Sequence, residues 1–203
     1  MNKNVKKYLI ITSSVFIASI LDFLTTVIFQ DILHTPLFFD TIFMIAILFI
    51  YGPVPALFEY IIFIKFACIK LTLIYGSNDN IYFYTLSALT IIFVTWLFIR
   101  KKENLNKGIN FTFIYILSAA LCAGLACSVV SEIISRFTVE LKAKDWEFDK
   151  IMHAYDDEKQ IFLTAAFVGR IPVTVLDRVI TTFAGFGIYK LYEKLKYRKM
   201  WQR

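Results

Sequence analysis

Apolar residues fall in runs of about the length that crosses a hydrocarbon core, roughly 20 residues as a helix, parted by short polar or turn-forming breaks. The first run covers 8–29, and Pro36 opens a second that ends at 51. Gly52-Pro53-Val54-Pro55 breaks the pattern, because proline withdraws a backbone donor and restricts the residue before it. A third run over 55–75 closes on the turn-type cluster Gly76-Ser77-Asn78-Asp79-Asn80. Runs at 81–99 and 109–135 follow, then a polar segment at 137–160 and a last apolar stretch at 161–191. The pattern predicts an all-α integral membrane protein, one domain over 1–203 with about six transmembrane helices.

The last stretch is too long for one plain crossing, since its residues would reach roughly 46 Å as a helix against a core of about 30 Å. Pro172 is the natural point of division, and two geometries are open: a short outer segment over 161–168 followed by a spanning helix from Ile171, or one steep helix kinked near Gly169. Basic residues set the expected orientation. Lys3, Lys6 and Lys7 precede the first run, Arg100-Lys101-Lys102 and Lys107 follow the fourth, and the tail carries Lys190, Lys194, Lys196, Arg198, Lys199 and Arg203. The segments 30–36 and 76–80 contain no Lys or Arg. The positive-inside rule then puts both termini in the cytoplasm, the chain in the cell membrane and the 137–160 segment outside.

Composition agrees with this picture. The chain has 203 residues, 58% hydrophobic and only 19% charged, too apolar for a soluble domain of its size to hide. The net charge of +6 sits at helix ends, where it reads as topology signal and contact with anionic lipid rather than nucleic-acid binding. Cys68, Cys122 and Cys127 fall inside apolar runs and are expected as reduced packing residues. There is no phosphate-binding G-x-x-x-x-G-K-[ST] loop, no H-E-x-x-H and no G-x-S-x-G, and no cysteine–histidine spacing suits zinc. The expectation is a non-enzyme without cofactor or metal.

Charges inside apolar runs are the informative ones, because each costs a few kcal/mol in hydrocarbon unless paired or wetted. Asp22 lies in the first run, Asp40 at the start of the second, and Glu59, Lys65 and Lys70 in the third. Glu132 and Arg136 are one turn apart in the fifth, and Arg170, Asp177 and Arg178 interrupt the last. Asp22, Asp40, Lys70, Glu132, Arg136 and Trp146 are the candidate lining of an outward-facing small-molecule site; pairing that merely fixes helix packing is the competing reading. Asp22 and Lys65, the deeper two, are expected to share one buried polar network. The 137–160 segment interleaves Trp146, Phe148 and Tyr155 with seven acids and four lysines, a composition that fits either a lid or an amphipathic surface helix. Ser14 and Ala18, and the run from Ser118 to Ser128, are small-residue packing faces.

Two stretches carry a resemblance. Phe39-Asp40-Thr41-Ile42, a short apolar helix and Tyr51-Gly52-Pro53 form one; Ile171-Pro172-Val173, Asp177-Arg178 and Tyr189-Lys190-Leu191 form the other. Together they resemble the substrate-binding S components of energy-coupling factor (ECF) transporters, over about a quarter of the chain. Val54-Pro55-Ala56 departs from the glycine often found after that break, and Ser14 and Ala18 only approximate the alanine pair of the first helix. The resemblance implies capture of a vitamin-like small molecule from outside, with a separate T component and ATPase subunits as partners. A ligand-sensing receptor module coupled to a signalling partner is the alternative.

Overall fold

The structure, a computed structural model, describes residues 3–76, 81–139 and 159–201. These residues form helices, with no strand among them. Helix α1 (Lys3–Thr26) continues as a π-helical turn over Val27–Ile32; α2 is Ile42–Tyr51, α3 Pro53–Tyr75, α4 Tyr84–Ile99, α5 Ile109–Val139 and α6 Lys159–Trp201. Four spans are long and apolar enough to cross a membrane: Asn4–Ile32, Ile81–Ile99, Ile109–Ile134 and Val168–Lys196. They make the chain a multi-pass membrane protein. Helix α3 falls outside that group because it carries Glu59, Lys65 and Lys70, and α2 because it has only 10 residues.

Successive helices run antiparallel. Ser14 of α1 meets Tyr51 at the far end of α2 (3.2 Å), while Asp22 meets the beginning of α2. Ser87 pairs with Ser131 between α4 and α5, and Phe113 of α5 packs on Phe183 of α6. Helix α2 is the centre of the bundle: Met44, Ile45, Ala46, Ile47, Leu48 and Phe49 are all buried. Its mean hydropathy is high all round, as expected of a helix covered on every side rather than along one stripe. Phe49 closes the packing against Phe186 and Tyr189 of α6.

Two glycines admit α6 into this bundle. A Cβ on Gly185 would stand 2.8 Å from Ile45 Cγ2 and 2.9 Å from the Ile42 carbonyl oxygen, and one on Gly124 would stand 3.0 Å from the Val175 Cα. Both are close backbone approaches, the Gly185 one too tight for any Cβ without a shift of its neighbours, and such approaches are the usual means by which membrane helices pack tightly. Gly52 ends α2 at φ 97°, in the region that favours glycine, and Pro53 starts α3 in the position where its missing N–H has no helical partner anyway.

Several boundaries differ from the apolar pattern. The second run reads as helix from Pro36, yet α2 begins only at Ile42, after Thr41. The last stretch is one continuous helix of 43 residues with Pro172 inside it, which settles the choice between a divided and a single helix.

Candidate functional site

The non-helical connection between α1 and α2 starts exposed at Leu33 and His34 and enters the bundle by Phe39 and Thr41, both buried. Its backbone N–H groups therefore need acceptors from protein, because hydrocarbon supplies none. Two aspartates provide them. Asp177 of α6, fully buried, accepts from the N–H groups of Phe38 and Phe39 through one oxygen, both at 3.0 Å. Asp22 of α1, also fully buried, accepts from the N–H of Phe43 at 3.0 Å through Oδ1 and from that of Met44 at 2.8 Å through Oδ2. Those two donors belong to the first turn of α2, where no intrahelical partner exists and a negative charge is favoured.

Phe39 between these anchors has φ 49°, a left-handed conformation that costs a non-glycine residue energy. The surroundings over-determine it. Its N–H is held by Asp177, its carbonyl oxygen accepts from the Thr25 hydroxyl at 3.2 Å, and its ring lies 4.4 Å from that of Phe29.

Arg178, beside Asp177, completes an outer clasp. Its Nη1 donates to the Thr41 hydroxyl oxygen, and its Nη2 lies 3.2 Å from Asp40 Oδ1 and 3.1 Å from Asp177 Oδ2. One guanidinium thus bridges a pair of carboxylates, and a planar fork is the side chain suited to that work. The Nε of Arg178 is buried without a hydrogen-bond partner.

A second carboxyl group stands next to Asp22. Glu59 of α3 is fully buried and neither of its carboxyl oxygens has a donor. The Ser19 hydroxyl, one turn before Asp22, donates to the Glu59 carbonyl oxygen at 2.9 Å. This brings α3 against α1, and the Glu59 and Asp22 carboxyls within reach of one another.

The structure brings together only part of the expected site. Asp22 and Asp40 are there, Asp22 holding the start of α2 and Asp40 lying within the connection, paired with Arg178. Lys70 instead pairs with Asp31 at the rim, and Glu132 is half-buried near the end of α5. The side chain of Arg136 and the whole of Trp146 lie outside the described residues, as does the 140–158 segment expected to act as a lid. Asp22 and Lys65 do not share a network. Lys65 is exposed, with Nζ 4.9 Å from the centroid of the Tyr82 ring, because six residues separate it from Glu59 and turn it about 120° around α3. Glu59 is the partner that Asp22 has instead. Asp177, Arg178 and Thr41 complete the cluster, the first two signalled in the sequence by charge within an apolar stretch. Cys68, Cys122 and Cys127 form no disulfide, and among the described residues no group of acids, histidines and cysteines could hold a metal ion.

In comparison with known proteins, no family model, no curated protein and no solved structure matches this chain.

Proposed function

We propose that this chain is a membrane-embedded substrate-binding subunit of the ECF type, which captures a vitamin-like small molecule on the outer side of the cell membrane. One observation carries the reading. The two stretches that resemble S components, 39–42 and 171–178, lie far apart in sequence, yet Arg178 bonds Asp40 and Thr41 while Asp177 bonds the Phe39 backbone. The resemblance therefore falls on one joined structural unit rather than on two scattered motifs. In this reading α2 and α3 complete a six-helix membrane bundle with the four longer spans. The alternating helix directions favour a common side for both termini, and the basic residues flanking 8–29, 81–99 and 161–191 favour the cytoplasm for that side. The ligand would reach the clasp from the end at which Asp31 and Lys70 pair, and transport energy would come from a partner T component and ATPases.

The test is to purify the full chain in mild detergent and identify any co-purifying small molecule by native mass spectrometry, then to measure binding of that molecule. A bound vitamin-like compound whose affinity falls at least tenfold in Asp40→Asn is the expected result. A preparation that binds no small molecule from a panel of vitamins, while remaining folded, would overturn the reading. Co-expression with candidate partners separates uptake from sensing. Transport requires a T component and ATPases; a sensor binds the same ligand without accumulating it.

A further inference from the structure

We propose that Asp22 and Glu59 form a proton-binding site at the centre of the bundle, one proton being held between the two carboxyl groups. Both residues have no exposed surface. Both oxygens of Asp22 face N–H donors of α2, so Asp22 is bound as an acceptor. Glu59 meets no donor at either oxygen, and among the described residues no basic side chain pairs with either carboxyl. A buried polar atom left in that condition calls for an explanation. Two ionised carboxylates in contact would repel each other with no basic side chain among the described residues to offset them. A proton on Glu59, donated toward Asp22, removes one charge and gives the Glu59 carboxyl the hydrogen bond it lacks.

The surroundings are consistent with a proton rather than a larger ligand. From α1 the pair is faced by Ser19, whose hydroxyl is already committed to the carbonyl oxygens of Val15 and Glu59. From α2 it is faced by backbone N–H groups, with no titratable side chain before Tyr51. From the connection before α2 comes Asp40, whose charge is occupied by Arg178, and from α3 comes buried Tyr60. The site is linked to architecture, because Asp22 caps the start of α2. Loss of the proton sets a second negative charge against the cap and loosens the seat of the central helix. Stability is present while the proton is held and is lost as pH rises through the titration of the pair.

The experiment uses the full chain in detergent micelles or nanodiscs, with two variants. Glu59→Gln keeps the shape and brings its own donor to Asp22; Glu59→Leu removes the carboxyl and needs no partner. Infrared spectra of the wild-type protein at neutral pH are expected to show a protonated carboxyl carbonyl band that both variants lose. The thermal midpoint of the wild type is expected to fall with rising pH, while those of the variants change less. Absence of the band in the wild type overturns the proposal without recourse to any variant. So does a band that persists in both variants, or a pH dependence that is the same in all three proteins.

Discussion

Asp22 and Asp177 perform the same local task with opposite neighbours. Each is fully buried and each accepts two backbone N–H groups, Asp177 from the connection that enters α2 and Asp22 from the first turn of α2 itself. Asp177 has Arg178 at 3.1 Å; Asp22 has the carboxyl of Glu59. The outer anchor is thus a carboxylate pair that shares one guanidinium, and the inner anchor is a carboxyl pair with no basic side chain beside it among the described residues. A buried carboxylate that satisfies backbone donors can be the fixed half of a clasp or the variable half of a switch, depending on whether its neighbour carries opposite or like charge.

The largest effect is expected from breaking the outer clasp. Arg178→Met strands Asp40 and Asp177 together, and removal of one partner from a buried ion pair costs about 3–5 kcal/mol. Chemical or thermal unfolding in detergent should show a loss of that order. Adding Asp40→Asn to Arg178→Met should recover part of the loss, since one stranded charge is then gone. If the double variant is as unstable as the sum of the two single changes, Arg178 and Asp40 do not act as a unit.

A smaller loss is expected at the inner anchor. Asp22→Ala leaves the N–H groups of Phe43 and Met44 without acceptors, at about 1–3 kcal/mol for a buried unsatisfied group, and it also takes the acceptor from the proton on Glu59. Asp177→Ala uncovers the N–H groups of Phe38 and Phe39 but leaves Arg178 and Asp40 as a one-to-one pair. Asp177→Ala should therefore be the milder of the two by unfolding midpoint. Equal losses would mean that the neighbours of the two aspartates make no difference and would erase the contrast between the anchors.

The legibility of these features in the sequence follows the range of the interactions that create them. The spans announce themselves because apolar length is a local property, and Gly52-Pro53 marks the α2–α3 break because proline acts on its own backbone. The late start of α2 is not local. Leu37, Phe38 and Phe39 are as apolar as the helix that follows, and only Asp177, far along the chain, and Asp22 make their open backbone tolerable inside the bundle. The depth of Asp22 and Lys65 was readable too, and suggested their pairing, but depth is not direction. Helical phase from Glu59 already turns Lys65 away, and the face that α3 shows to α1 becomes known only once Ser19 is seen against Glu59. The continuity of α6 through Pro172 is likewise a tertiary outcome, since proline in a membrane helix is tolerated where neighbours compensate.

The smallest effect is expected where opposite charges meet at the rim. Lys70 and Asp31 form an ion pair that joins α3 to the end of the π-helical turn, and it resembles the outer clasp in chemistry alone. The side chain of Asp31 is 43% exposed, against 6% for that of Arg178, so water and salt screen the first pair far more than the second. Exposed pairs of this kind contribute about 0–1 kcal/mol. Lys70→Ala should therefore shift the unfolding midpoint little, and the shift should shrink further as salt is raised toward ~1 M, where the screening length falls to about 3 Å. Arg178→Met measured over the same salt range should keep most of its cost, because its charges are covered by protein. A Lys70 variant as damaging as the Arg178 variant, with no salt dependence, would show that the rim pair is shielded in the membrane-bound protein and that burial does not separate the two clusters.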